Sequence, residues 1–300
     1  MWKYYALRLA YLLLGRLPVP VLYGIARVVG DASYLARPAA RRAVTANMRQ
    51  VMGAEATEQE VRRATHDVFR NVTRYYADLF HNPHVDLQRF AKEKLDLEGL
   101  EYLTDARDSG RGGIVVGAHF GSPEMAVQGI AAYGVFVMVL TEPLEPQALS
   151  DFTNQLRSQH GHKYRTSTVG GIKEVLRHIR SGGLVAILID RDVGGTGTPM
   201  QFCGAEAPIP LGGIDLALRT GADLILARSW RLPGYRLRVR IGPPLELIRT
   251  GDREADLRAN GERVLALLAE QIRSDPGQWA VLEAIWEAHA APSARPGAVH

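Results

Sequence analysis

The chain has 300 residues, 46 % hydrophobic and 23 % charged, with 30 Gly and 16 Pro. That composition excludes a disordered or fibrous protein and allows a sizeable buried core. Its single cysteine, Cys203, excludes an intrachain disulfide framework and fits a reducing compartment, where it reads as a small buried apolar residue. The net charge of +4 is uneven: residues 1–50 hold eight Lys and Arg against Asp31 alone, a balance of +7 that leaves −3 on the other 250 residues.

The amino end, "MWKYYALRLAYLLLGRLPVPVLYGIARVVGDASYLARPAARRAV", never offers the ~18 uninterrupted apolar residues of a membrane-spanning helix. Lys3, Arg8 and Arg16 interrupt the first apolar block, Pro18 and Pro20 end it, and Arg27 and Asp31 interrupt the second. No small-residue cleavage site follows, so it is not read as a secretion signal. Two short helices with Trp2, Tyr4, Tyr5 and spaced arginines suit an anionic membrane interface better than nucleic acid. A pair of core-packing helices is the plainer alternative.

Residues 41–80 read as helical, with a cap at Thr57 and the acidic first turn "TEQE". "HNPH" then places His81 and His84 in a Pro-containing turn with no further metal-ligand context, and is read as a loop. Helices and short apolar strands alternate after that. "GLEYLTDARDSG" is a helix, "GIVVGAH" a buried strand, "PEMAVQGIAAYG" a helix, "VFVMVL" a strand and "PQALSDFTNQLRSQHG" a helix. "VGGIKEVLRHIRSGG", "LVAILID", "PLGGIDLALRTGA" and "DLILARSW" continue the alternation. "YRLRVRIGPPLEL" alternates like a half-exposed strand, and residues 253–274 form a long amphipathic helix. Continuous apolar strands joined by helices predict an α/β fold with a mostly parallel central sheet flanked by helices.

In such sheets, reactive groups gather beyond the carboxyl ends of the strands. "GIVVGAHFGSPEM" puts His119 there, with Ser122 as a helix cap, Pro123 at the first helical position and Glu124 in the first turn. On one helix, residues five apart diverge by about 140°, so His119 and Glu124 converge only across a turn. Glu124 would then orient the imidazole and make His119 a general base for a hydroxyl nucleophile. On spacing alone, a buried structural histidine is the commoner reading. A second cluster, "ILIDRDVGGTGTPMQFCG", ends a strand in Asp190, Arg191 and Asp192 at the same sheet edge; by itself it reads as a solvated loop. Neither a phosphate loop nor a dinucleotide fingerprint is present.

Together these residues carry a resemblance. "HFGSPE" resembles the H-x4-D/E motif of the lipid acyltransferases that include the bacterial lipid A lauroyl/myristoyl transferases and the phosphatidylinositol mannoside acyltransferases. "DRDVGGTGTPMQFCGAEAPIPLGGIDLALRTGADLILA" is similar to that family's D-R-D, G, F-x-G, A-x-x-P-x-G, L-A and T-G-A series. "TEPLEPQALSDFTNQLR", "ARRAVTANMRQVMG" and the closing "DPGQWAVLEAIWE" resemble further family segments, so the likeness runs from about residue 35 to 290. Pro210 and the D-R-D triplet lean toward the mannoside branch. Cys203 stands where an aromatic is usual, and Glu124 where many relatives have Asp.

The resemblance implies a glycerolipid acyltransferase-like fold for an acyltransferase domain (41–290); the pattern of the residues themselves sets off membrane-associating helices (1–40) and a disordered tail (291–300). It implies transfer of a fatty acyl group from acyl-CoA or acyl carrier protein to a hydroxyl of a glycolipid at the cytoplasmic face of a bacterial inner membrane. No metal or other cofactor is implied. His119 would be the base, held by Glu124, with Ser122, Asp190, Arg191 and Asp192 in substrate binding, Arg157 either contacting an anionic part of the substrate or bracing a carboxylate, and oxyanion donors near Ser122. An apolar groove would hold the acyl chain, each buried CH₂ contributing roughly 0.8 kcal/mol. Two other readings are a metal-assisted esterase using His119, Glu124 and Asp190, and a non-enzymatic lipid carrier.

Overall fold

The computed structural model describes residues 1–286; the tail assigned to 291–300 lies outside the described residues. Helices α1 (Trp2–Leu14) and α2 (Val19–Ala36) break at the Gly15–Pro18 segment, and α3 (Pro38–Met52) and α4 (Glu58–His81) follow. The Thr57 side chain accepts from the Glu60 amide while Glu60 reaches back to the Thr57 amide, a reciprocal cap that starts α4. "HNPH" closes α4 with one 3-10 turn, and His84 stacks on Tyr11 of α1 at 6.1 Å between ring centres.

The α/β body runs α5 (Leu87–Glu93), β1 (Leu95–Glu98), α6 (Leu100–Asp108), β2 (Gly113–Gly117), α7 (Pro123–Ala131), β3 (Met138–Thr141) and α8 (Gln147–Arg157). It continues with β4 (Lys163–Thr166), α9 (Val169–Arg180), β5 (Leu184–Leu188), the hairpin β6 (Thr198–Phe202) and β7 (Ala205–Ile209), α10 (Gly212–Thr220), β8 (Asp223–Leu232), β9 (Arg236–Ile241) and α11 (Arg253–Ser274). The seven-stranded sheet has the order β1-β9-β8-β2-β5-β3-β4. Five strands, β8 to β4 in that order, are parallel; β9 runs antiparallel to β8, so β9 and β1 form a reversed edge pair.

Every residue of β2 is buried, as its unbroken apolar run requires at the centre of a sheet covered on both faces. Ile114 and Val116 face the larger core, shared with α3, α4, α9, α10 and α11, whereas Val115 faces the cluster under α6 and α7. The chain leaves β2 toward β3 on one side and returns through β5 to β8 on the other, which makes the carboxyl ends of β2 and β5 a switch point.

Four strands were not legible in the sequence. β1 and β4 have only four residues each, and the β6–β7 hairpin lies where a Gly-rich loop was expected. Its two turn residues, Cys203 and Gly204, have φ of 51° and 90°, a mirror-image turn built without the Asn-Gly signature. Cys203 is buried as expected, and burial pushes its thiol up to about 11.

Candidate active site

His119 follows β2 and Asp190 follows β5. The two strands pair in register, Gly117 opposite Leu188, and the Ile189 amide extends the ladder to the Gly117 carbonyl at 3.0 Å. Two residues further on, the same offset brings Asp190 beside His119. Asp190 Oδ1 lies 2.8 Å from His119 Nδ1, and Oδ2 accepts the His119 amide at 2.9 Å and the Trp279 indole N–H at 2.7 Å. Burial pushes the Asp190 carboxyl up, but the adjacent His119 and these three donors outweigh it and hold the group below the ordinary carboxylate range. The imidazole remains 26 % exposed, and its Nε2 has no protein partner among the described residues.

The group that orients His119 is therefore Asp190 and not Glu124, which corrects the pairing expected from H-x4-E. Glu124 enters the first turn of α7 and turns inward. It accepts hydrogen bonds from Tyr164 Oη at 2.9 Å and Gln128 Nε2 at 3.0 Å, and Arg157 Nε lies 3.0 Å from its other oxygen. Burial pushes Glu124 up, to about 7, against the Tyr164 and Gln128 hydrogen bonds. Arg157 sits between the rings of Tyr75 and Tyr164, 5.8 and 5.6 Å from their centres, and bonds Tyr75 Oη. Of the two roles open to Arg157, bracing a carboxylate is the one its geometry fits.

Ser122 occupies the N-cap position of α7, but its side chain does not cap the helix. It is buried and donates to Asp78 Oδ2 at 2.8 Å, which corrects its assignment as a substrate-binding group. Arg231 bonds the same carboxylate oxygen at 2.5 Å, Tyr23 Oη at 2.8 Å and the Gly121 carbonyl at 3.0 Å, and Tyr23 bonds the other Asp78 oxygen. This buried cluster ties α2 and α4 to the turn that follows β2. Gly121 is required there: its φ is +67°, and a Cβ would meet the Ser229 carbonyl oxygen at 2.4 Å. The amides of residues 119 to 122 are all occupied, by Asp190, Ala118, Gln278 and Ser229, so they offer no free oxyanion donor at Ser122.

Arg191 bridges Glu142 and Glu283, each at 3.0 Å, pinning the end of β3 to the carboxyl-terminal segment. Asp192 braces its own loop by accepting the Gly194 and Gly197 amides at 3.0 and 2.7 Å. Sequence reading passed over Trp279, Asp78, Arg231, Tyr75, Tyr164 and Gln128. Only Trp279 carried a signal, in the closing "DPGQW". Among the described residues, no three His, Cys, Asp or Glu side chains converge into a group that could hold a metal ion.

A half-exposed histidine backed by a buried carboxylate, at the switch point of an α/β sheet, is an arrangement that can take the proton of a hydroxyl group. The chain belongs to the bacterial lipid A biosynthesis acyltransferase family, whose model matches residues 1–288, and it is an acyltransferase. It is 28 % identical over 263 residues to the phosphatidylinositol mannoside acyltransferase of Mycolicibacterium smegmatis, covering 85 % of this chain and 82 % of that protein. It is likewise 28 % identical over 229 residues to the phosphatidylinositol mannoside acyltransferase of Mycobacterium tuberculosis, covering 74 % of this chain and 70 % of that protein. The family read from the ordered motifs is thus the family found.

Proposed function

We propose that the protein transfers a fatty acyl group from an acyl thioester, acyl-CoA or acyl carrier protein, to a hydroxyl of a phosphatidylinositol mannoside-like or lipid A-like glycolipid, by direct attack with His119 as base. The observation that carries this reading is the His119–Asp190 pair, which engages Nδ1 and leaves Nε2 without a protein partner among the described residues. Nε2 takes the acceptor hydroxyl proton as the oxygen attacks the thioester carbonyl. The C–O bond forms, the C–S bond breaks, and the departing thiolate takes the proton from the imidazolium. Asp190 holds the tautomer and stabilises the transient positive charge. No acyl-enzyme is required.

The work is done at a membrane surface. None of the described helices is long and apolar enough to cross a membrane. Both N-terminal helices nevertheless turn apolar side chains outward: Trp2, Tyr5, Leu9 and Leu13 on α1, and Val21, Val28 and Leu35 on α2, with Leu9 57 % and Leu35 71 % exposed. Exposed apolar side chains of this kind, together with a groove lined by Arg41, Arg42, Arg49 and Arg62, suit a bilayer carrying anionic headgroups. On this reading residues 1–40 are the membrane-associating part, and the enzyme binds peripherally to the cytoplasmic face of the inner membrane.

The test is purified enzyme with a long-chain acyl-CoA and phosphatidylinositol mannoside. His119→Ala should abolish acyl transfer while leaving the thermal unfolding transition in place. Turnover at the wild-type rate would eliminate the base role.

A further inference from the structure

Trp279 reaches the site from the far end of the chain, on a segment that is itself firmly held. Gly121 donates to the Gln278 carbonyl at 3.0 Å and Ala280 to the His119 carbonyl at 2.7 Å, so the segment straps the catalytic turn from both sides. Asn71 Nδ2 donates to the Gly277 carbonyl at 2.6 Å. The indole is fully buried and lies edge-on to Phe202, with ring centres 6.1 Å apart. Its position is therefore set by packing and by the strap, and its N–H points at one oxygen of one carboxylate. That oxygen, Asp190 Oδ2, also accepts the His119 amide. With Oδ2 saturated by two donors fixed in the fold, Oδ1 alone is left for the imidazole.

We propose that Trp279 is a positioning residue of the transfer reaction: its indole N–H fixes the Asp190 carboxylate in the orientation that presents Oδ1 to His119 Nδ1. Trp279 touches no reacting atom. It acts through Asp190, and the proposal rests on the reading of His119 as base.

A double-mutant cycle with Trp279→Phe and Asp190→Asn tests it, because coupling appears only if the indole acts through that carboxylate. Trp279→Phe should lower kcat about ten- to a hundredfold, the worth of a hydrogen bond to a charged group, with KM for the acyl thioester unchanged. In the Asp190→Asn background the same change should add little. Trp286→Phe, which alters the same aromatic cluster through a side chain bonded only to the Phe202 carbonyl, should leave kcat as it is. A second readout needs no tryptophan variant: the Trp279 indole N–H resonance should shift between wild type and Asp190→Asn.

Additive losses in the cycle, an unchanged kcat in Trp279→Phe, or an indole resonance indifferent to Asp190→Asn would each overturn the proposal. If Trp279→Phe fails to fold, the resonance decides. An inactive His119→Ala beside a fully active Trp279→Phe removes this inference alone, whereas an active His119→Ala removes the base reading itself.

Discussion

Replacing Asp190 by Asn changes one atom and inverts the hydrogen-bond logic of the site. The carboxylate accepts three N–H donors: the His119 amide and the Trp279 indole at Oδ2, and the ring at Oδ1. An asparagine has one acceptor oxygen. Two fixed donors compete for the Oδ2 position, so the amide oxygen settles there and the NH₂ group faces Nδ1. It then donates to the imidazole, whose own proton must move to Nε2. The base nitrogen is now protonated in the neutral ring, and the negative charge that would stabilise the imidazolium is gone. In a His–carboxylate pair the wrong tautomer costs on the order of 10⁴ in kcat, about 5.5 kcal/mol of transition-state stabilisation. Because both donors at Oδ2 stay satisfied, stability should fall by only about 1–2 kcal/mol. Steady-state acyl transfer from acyl-CoA to phosphatidylinositol mannoside measures the first quantity and thermal unfolding the second. A folded Asp190→Asn enzyme with kcat within tenfold of wild type would refute the reasoning. By contrast, Glu124 lies in a separate ion-pair cluster, and nothing about its contacts makes it exchangeable with Asp190.

His162 carries a pH dependence of stability. Burial pushes it down from 6.5 to about 4, and its Nδ1 accepts the Val137 amide at 3.2 Å. The unfolded chain binds this proton first, so the stabilising contribution is complete above pH 6.5 and is lost as pH falls toward 4, amounting to about 3 kcal/mol. His162→Gln keeps an acceptor and removes the titration; the difference between its unfolding midpoints and those of wild type should open across that pH window, and parallel curves would count against the assignment. At the proposed membrane face, Leu9→Ser with Leu35→Ser removes two exposed apolar side chains at about 1 kcal/mol each, weakening binding to anionic vesicles about thirtyfold without loss of fold. Cosedimentation equal to wild type would show that the bilayer is met elsewhere.

Local sequence was enough to read the alternation of helices and strands, since each element carries its own periodicity and punctuation. The reciprocal Thr57–Glu60 cap and the long helix from Arg253 to Ser274 were both legible for that reason. The β6–β7 hairpin was not, because its Cys203-Gly204 turn departs from the usual hairpin residues. The histidine at the end of β2 was also legible, because an apolar run ending in a Gly-rich turn marks a sheet edge wherever it occurs. Its partner was not. Glu124 is five residues away and looked close, yet the first turn of α7 carries it inward to Arg157, Tyr164 and Gln128. Asp190 is 71 residues away and is brought alongside by the register of two parallel strands, a relation between elements that no local pattern encodes. Trp279, another 89 residues on, arrives only because the segment after α11 folds back across the turn. Residue type and local spacing thus place the histidine, while packing over long separations chooses the carboxylate that contacts it and the indole that contacts the carboxylate.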